Sequence, residues 1–167
     1  GALATLAEAG RVVDLTSALD HEGWRDRFLP AALRLCATDG RSYAVPLDLS
    51  AVVLWYNTDL FAAHRLQVPA TFDDVLATAA VCRQADITPL ALGNMKQWPG
   101  AFYFAYLAVR DGGMAPFRAA AARTATVGFT DPSFVRAGTR LRQLLEARVF
   151  STGCNGLEDD QARSQFL

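Results

Sequence analysis

The sequence has no excess of basic charge and no block of like charge. Its 16 lysine and arginine residues are balanced by 17 aspartate and glutamate residues, and Lys96 is the only lysine. A nucleic-acid-binding surface needs a concentrated basic patch, because much of its affinity comes from releasing the counterions of the phosphate backbone. The sequence therefore argues against a nucleic-acid partner.

Cysteine and histidine are also scarce. The three cysteines, Cys36, Cys82 and Cys154, form no CxxC pair, and an odd number cannot pair completely. The two histidines, His21 and His64, do not accompany a serine or cysteine nucleophile motif such as GxSxG. Since His, Cys, Asp and Glu also show no ligand spacing, the sequence predicts no metal site and no cofactor.

Long hydrophobic runs are missing as well. No apolar stretch reaches the ~18 residues that a membrane-spanning helix requires, and the first residues show a helical pattern in place of a signal peptide. The 167 residues are nevertheless 51% hydrophobic, which is enough to bury a substantial core. The composition thus indicates a globular chain.

The most informative stretch is RSYAVPLDLSAVVLWYNTDLF, residues 41–61. Its β-branched and aromatic residues predict extended structure, in two pieces because Pro46 supplies no N–H to a strand ladder. A single carboxylate, Asp48, interrupts the apolar run. One of residues 57–59 is expected to cap a helix that follows.

Helix signals dominate the rest of the chain. Thr71 is the expected N-cap of a helix with two acidic residues in its first turn. Asp131 or Thr130 is the expected cap of another helix, with Pro132 at its first position. The apolar run 87–92 is typical of a buried strand, and 101–110 is typical of a central helix. Side chains predicted to be buried include Trp24, Phe134, Ala137, Leu141, Leu144 and Leu145.

Several motifs follow one another in an order that resembles a known family. They are DGxxYAVPxD, LWYNTDLF, VPATFDD, ITPLALGN and WPG. Together they resemble extracellular solute-binding protein family 1, the sugar-binding components of bacterial ABC importers. The resemblance covers most of the chain, from about Leu6 to Phe166, but only the middle of a family member.

The resemblance implies a fold and a domain division. The expected class is α/β and helix-rich, a partial periplasmic-binding-protein type II fold whose sugar site lies in the cleft between two lobes. Residues 1–47 would be the tail end of the first lobe and the start of the crossing between lobes. Residues 48–167 would be most of the second lobe, truncated at its C-terminus.

Polar and aromatic side chains in two regions suit a sugar site. The loop 93–100 follows the predicted strand and carries Asn94, Gln97 and Trp98, at the strand end where ligands gather in α/β proteins. Carboxylates and amides pair with sugar hydroxyls, and aromatic rings cover the apolar face of the sugar. With Asp48 and Trp55 these residues form the predicted site; strand alternation would turn only one of Trp55 and its neighbour Tyr56 to the cleft.

The family resemblance also implies a function and a location. The protein would capture a sugar or oligosaccharide without catalysis and deliver it to the membrane permease of an ABC importer. It would be extracytoplasmic, either periplasmic or a cell-surface lipoprotein, with its signal peptide outside this chain. A missing lobe would leave apolar surface uncovered, so non-native self-association is also expected.

Two other classes of function remain open from the sequence. A glycoside hydrolase fragment would carry similar aromatic residues, but it needs two carboxylates across a cleft and only Asp48 has a convincing context. A helical interaction module would be indifferent to sugars. At the level of single residues, Asp48 could instead accept backbone N–H groups at a strand crossing, and Asn94 could be a plain turn residue after Gly93.

Overall fold

The computed structural model describes residues 2–124, 126 and 128–166. The chain divides into two compact units, one ending at Val53 and the other beginning at Leu54. Helices are the main regular elements of both units. Paired β-strands within the described residues are confined to one hairpin of two residues a side.

The unit that ends at Val53 consists of short helices and this hairpin. Its elements are α1 (Ala2–Glu8), α2 (Thr16–Asp20), a 3-10 turn (His21–Arg27), α3 (Pro30–Leu35), β1 (Ala37–Thr38) and β2 (Arg41–Ser42). Asp39 and Gly40 connect the two strands, with φ values of 51° and 76°. Positive φ at both central residues is the geometry that two-residue hairpin loops favour, so the Asp-Gly pair explains this turn.

Hydrogen bonds tie the hairpin to the start of α2. The Leu15 N–H donates to the Ser42 carbonyl at 2.8 Å, and the Ser42 N–H donates to Thr16 Oγ1 at 3.0 Å. Asp14 accepts from the Thr16 side chain and backbone. These two bonds lower the pKa of Asp14, the hydroxyl having the larger effect. The backbone of buried Ser42 is thereby satisfied.

The unit that begins at Leu54 contains the longer helices. They are α4 (Thr58–Ala63), α5 (Phe72–Gln84), α6 (Trp98–Gly112), α7 (Met114–Ala121), α8 (Pro132–Glu146) and α9 (Asp159–Phe166), with 3-10 turns at Gly128–Thr130 and Cys154–Gly156. A parallel bridge joins Leu90 to Phe150. The Leu90 N–H donates to the Val149 carbonyl at 2.8 Å, which brings two distant parts of the chain together.

Three helix starts confirm predictions made from the sequence. Asn57 accepts two backbone N–H groups of α4 through its side chain. Thr71 and Asp74 form a reciprocal capping box at the start of α5, and Asp131 accepts the Ser133 N–H at 2.9 Å ahead of α8. Because capping depends on residues within one turn of each other, a sequence displays it directly.

The core of this unit is built around α6 and α8. One cluster centres on Phe134 and alanines that allow close helix packing: Ala108, Ala120 and Ala137. Phe104, Leu107 and Phe117 pack against it from outside. A second cluster comprises Ala79, Leu144 and Val149, and joins α5 and α8 to the strand-like segment that carries Phe150. These contacts fix the position of α6, whose first turn carries Trp98.

Two stretches predicted to be strands are not regular strands. Residues 43–57 have no regular secondary structure, and 87–92 contributes only the bridge of Leu90 to Phe150. A strand needs neighbouring strands to pair its N–H and C=O groups, and Pro46 and Pro89 each remove one donor. Side-chain preference for β-structure alone did not produce a strand here.

Two burial predictions are also wrong. Trp24 is 44% exposed because it lies in the 3-10 turn, where it contacts Phe28 and lies under the Arg27 guanidinium. Leu145 is 57% exposed, since its neighbour Leu144 takes the buried position and successive residues point about 100° apart on a helix. Pro30 is the first residue of α3.

Acid is expected to destabilise this fold through three carboxylates. Local hydrogen bonds, in each case first from a side-chain hydroxyl, lower the pKa of Asp14, Asp74 and Asp131 from their ordinary value of 3.8. A lowered pKa in the folded protein stabilises it above the unfolded pKa, and that stability is lost as the pH falls through the folded value. We therefore expect the melting temperature to fall below about pH 4.

Thermal unfolding followed by circular dichroism, between neutral pH and about pH 3, would measure this effect. Asp74→Asn should be less stable than the wild type at neutral pH and should lose less stability in acid. Parallel profiles for the two proteins throughout this range would contradict the assignment of acid sensitivity to the capping carboxylate.

Candidate functional site

The loop 93–100 rests on a turn formed by residues 153–158, here called the 153–158 turn. The Asn94 N–H donates to the Cys154 carbonyl at 2.8 Å, and the Met95 N–H donates to the Leu157 carbonyl at 3.0 Å. Lys96 Nζ lies 3.7 Å from Glu158 Oε2 in an exposed ion pair. Two backbone hydrogen bonds thus fix the beginning of the loop.

The side chain of Asn94 organises the rest of the loop. Its Oδ1 accepts the Gly100 N–H at 2.8 Å, and its Nδ2 donates to Asn155 Oδ1 at 2.7 Å. The N–H of Gly100 belongs to the first turn of α6, where backbone donors have no partner within the helix. Gln97, at the N-cap position, makes no side-chain capping bond. Asn94 therefore caps α6 from outside the helix.

Two glycines permit this close arrangement. A Cβ at Gly100 would come within 2.6 Å of Asn94 Oδ1, and a Cβ at Gly93 would collide with the backbone carbonyl of Glu158. Neither glycine has a positive φ. Each is required because neighbouring atoms approach its backbone too closely to leave room for a Cβ. The sequence predicted a turn after residue 92, but only the structure shows which neighbours approach.

Gln97 and Trp98 are the exposed side chains at the end of the loop. Gln97 has a left-handed backbone with φ of 62°, a conformation that costs roughly 1–2 kcal/mol for a residue with a Cβ. Trp98 is 51% exposed and contacts Phe102, one turn further along α6, in an edge-to-face arrangement with ring centroids 5.5 Å apart. The loop therefore presents an amide and an open indole surface.

Trp55 lies in a different part of the same unit. It lines a pocket of about 600 Å³, whose walls include Tyr56, Phe61, Leu90 and Phe166. Asn94, Gln97 and Trp98 do not line this pocket. Residues 43–57 are not a strand, so strand alternation does not separate Trp55 from Tyr56, and both line the pocket.

Asp48 belongs to the unit that ends at Val53. It is exposed and lies beside Leu47, which is 98% exposed, in a segment without regular secondary structure. Within the described residues the Asp48 carboxylate has no hydrogen bond or ion pair. The alternative role for Asp48, accepting backbone N–H groups at a strand crossing, is therefore not observed among these residues. Its carboxylate is open to solvent.

Asn155 is the residue of this region that sequence reasoning missed. It lies in the segment STGCNG, which reads as a plain loop, and its partner Asn94 is 61 positions away. No short-range pattern announces a hydrogen bond between two such distant side chains. Only the folded arrangement of the loop 93–100 on the 153–158 turn reveals it.

Other reactive groups are in ordinary structural settings. Cys36, Cys82 and Cys154 are unpaired thiols, and burial raises the pKa of Cys82. Burial also raises the pKa of Tyr103, whose ring packs edge-on against Phe150 at 4.9 Å. In the part of the chain that the structure describes, no three His, Cys, Asp or Glu side chains form a metal-binding cluster, and no helix has the length and apolar character to cross a membrane.

The fold is that of part of a solute-binding protein. A structure from a study of xylan utilization by the thermophilic bacterium Caldanaerobius polysaccharolyticus superposes with a TM-score of 0.88 at 33% identity, over 97% of this chain and 41% of that one. The bacterial solute receptor AcbH, described as having an exclusive preference for β-D-galactopyranose, gives 0.82 at 25% identity, over 99% and 41%. The helix-rich α/β class and the partial periplasmic-binding fold are thus confirmed.

The family itself is identified by sequence. The family model for bacterial extracellular solute-binding proteins matches residues 1–149, and this chain belongs to that family. A probable sugar-binding periplasmic protein of Mesorhizobium japonicum is 35% identical over 109 residues, which are 64% of this chain and 26% of that protein. The chain therefore spans about a quarter of the length of this curated relative.

Proposed function

We propose that this chain is part of a carbohydrate-binding protein that delivers a sugar or oligosaccharide to the permease of an ABC importer. The observation that carries the proposal is the exposed Gln97–Trp98 pair on a loop anchored by backbone and side-chain hydrogen bonds. A sugar ring has apolar C–H faces that an indole can cover, and its hydroxyls pair with an amide. Preorganised side chains of this kind bind with a smaller entropic cost.

The relatives support a carbohydrate as the ligand. The Mesorhizobium protein carries the description of a sugar-binding periplasmic protein, and the AcbH receptor is described as selecting β-D-galactopyranose. Both descriptions concern longer proteins than this chain. Transfer of a carbohydrate ligand to the present protein is our proposal, and the identity of the sugar is the variable to be measured.

Asp48, Trp55, Asn94, Gln97 and Trp98 are the proposed sugar-binding residues. Trp98 would cover one face of a sugar ring, and Gln97 would bond to its hydroxyls. Asn94 already uses one N–H and one lone pair inside the protein, which leaves one of each for a hydroxyl. Asp48 offers an exposed carboxylate, and Trp55 an aromatic surface that is 78% exposed.

We also propose that the chain joins two lobes. Residues 1–47 would be the tail end of the first lobe, and 48–167 most of the second. The division into compact units after Val53 supports a lobe boundary close to residue 48. In the complete protein the two lobes would close on the sugar, and the closed form would dock on the permease. Such a protein would act outside the cytoplasm, in the periplasm or as a surface lipoprotein.

Catalysis is not part of this proposal. The matching family consists of binding proteins, and in the sequence Asp48 alone has a convincing context for an acid or base. We also propose that this chain self-associates, because it exposes large apolar side chains between residues 45 and 56, Leu47 among them. A glycoside hydrolase fragment and a helical interaction module have no observation in their favour.

The test is a calorimetric titration of the 167-residue chain with a panel of saccharides. The panel should include galactose, glucose, xylo-oligosaccharides and chito-oligosaccharides, with a free amino acid as the matched non-carbohydrate control. We expect saturable binding of one saccharide or one related group, and a rise in melting temperature with its concentration, since a ligand that binds only the folded state stabilises it.

Two further readouts complete the titration. Chromatography of the recovered saccharide should show it unchanged, whereas cleavage products would favour the hydrolase. Light scattering should show self-association of the chain, which must enter the analysis of stoichiometry. A folded chain that binds the amino acid control but no saccharide would contradict a carbohydrate ligand.

A further inference from the structure

We propose that Asn155 is a positioning residue for the sugar site: it holds Asn94 in place, and Asn94 in turn fixes the first turn of α6 that carries Trp98. The inference deepens the proposed function and rests on it for the ligand, while its structural part concerns the ligand-free protein. Neither the family description nor the names of the relatives assign a role to this residue.

The orientation of the Asn94 amide follows from its partners. The Gly100 N–H can only donate, so the oxygen of the amide must face it, at 2.8 Å. The NH₂ group then points the other way and requires an acceptor, which Asn155 Oδ1 provides at 2.7 Å. Rotation of the amide by 180° would place its NH₂ group against the Gly100 N–H, so the Gly100 N–H sets the orientation of the Asn94 amide. Asn155 holds the amide in that orientation by accepting from its NH₂ group.

The first turn of α6 depends strongly on the hydrogen bond from the Gly100 N–H to Asn94 Oδ1. Gln97 occupies the N-cap position with a left-handed backbone and no side-chain capping bond, so the usual local cap is absent. Gly100 lets the Asn94 amide lie directly against the helix backbone, because a Cβ there would come within 2.6 Å of its oxygen. Trp98 is the first residue of that turn, and its indole direction follows from the turn.

The hydrogen bond between Asn94 and Asn155 can be removed without releasing the loop 93–100 from the 153–158 turn. The backbone bonds of Asn94 to Cys154 and of Met95 to Leu157 do not involve the side chain at position 155. Asn155 is exposed, so truncating it opens no cavity. Substitution at position 155 therefore tests the side-chain hydrogen bond between Asn94 and Asn155, and it leaves the backbone hydrogen bonds of the loop in place.

The experiment compares Asn155→Ala with Asn155→Asp, which keeps an acceptor oxygen for Asn94 Nδ2. Gly156→Ala is the matched control, since it lies in the same turn and its added Cβ would meet no atom within 4 Å. Saccharide affinity is measured calorimetrically with the member of the panel that binds the wild type. Acrylamide quenching of Trp98 is measured without ligand, in a background where Trp24 and Trp55 are phenylalanine.

We expect Asn155→Ala to weaken saccharide binding roughly five- to tenfold, the effect of losing one hydrogen bond that orients the site. The same variant should change the quenching constant of Trp98 in the absence of ligand. Asn155→Asp should restore both values to within about twofold of the wild type, and Gly156→Ala should leave both unchanged.

Two results would overturn the positioning role. One is wild-type affinity and wild-type Trp98 quenching in Asn155→Ala. The other is an equal loss of affinity in the Ala and Asp variants with unchanged quenching, which would make Asn155 a direct sugar contact. If the wild type binds no saccharide, the proposed function fails, and the quenching comparison alone decides: a change in the Ala variant that the Asp variant reverses supports positioning, and no change refutes it.

Discussion

Trp98→Ala is expected to weaken saccharide binding by roughly 30- to 100-fold. The indole is about half exposed in the ligand-free protein, so a sugar ring stacked on it would cover on the order of 100 Å² of apolar surface. At about 25 cal/mol per Å² this burial is worth about 2.5 kcal/mol, and each 1.4 kcal/mol is about tenfold in affinity. Loss of the ring should therefore dominate the effects of single substitutions in the loop.

Calorimetric titration with the same saccharide measures this effect. Trp98→Phe should lose less affinity than Trp98→Ala, because a smaller aromatic face remains to cover the sugar. Trp24→Ala is the matched control: it removes another half-exposed indole, from the unit that ends at Val53, where the ring lies under the Arg27 guanidinium. Unchanged affinity in Trp98→Ala would remove this loop from the sugar site.

Phe134→Ala is expected to cost about 3–5 kcal/mol of unfolding free energy, the range for truncating a buried aromatic side chain. Phe134 is 3% exposed and lies at the centre of the cluster between α6, α7 and α8. Its ring is 6.1 Å from those of Phe104 and Phe117 and 4.9 Å from that of Phe129. A loss of this size is a large part of the 5–15 kcal/mol typical of a domain.

Urea unfolding followed by circular dichroism would measure the loss as a lower midpoint with an unchanged slope. Val135→Ala serves as the control, since Val135 is the next residue of α8 and its side chain is exposed. It should change stability by less than about 0.5 kcal/mol, as surface substitutions usually do. Equal midpoints for the two variants would show that the Phe134 cluster does not determine the stability of this unit.

Short-range patterns in the sequence predicted the helices well. Thr71 caps the helix it was expected to cap, and Asn57 and Asp131 are the caps among the candidates that the sequence offered, because each acts on N–H groups within one turn of itself. The family was also recognisable from ordered motifs. Such signals need no knowledge of the tertiary structure.

Strands and burial were predicted less well. Residues 52–56 and 87–92 have the side chains of strands, yet regular pairing depends on neighbours that a local pattern does not specify. Trp24 and Leu145 are apolar residues that the helical period assigned to the core, but the packing of the surrounding helices leaves both exposed. Hydrophobicity indicates that a side chain favours burial, but the tertiary packing determines which apolar side chains are buried.

The candidate site shows the same division. The family, the helix starts and the chemical character of the loop 93–100 were predictable from the sequence, since they depend on residue types and on neighbours close in the chain. Two features became visible only in the folded chain: Trp55 lines a pocket apart from this loop, and Asn94 caps α6 while its NH₂ group donates to Asn155. The physical reason is that a hydrogen bond across 61 positions forms only after the 153–158 turn has packed against the loop.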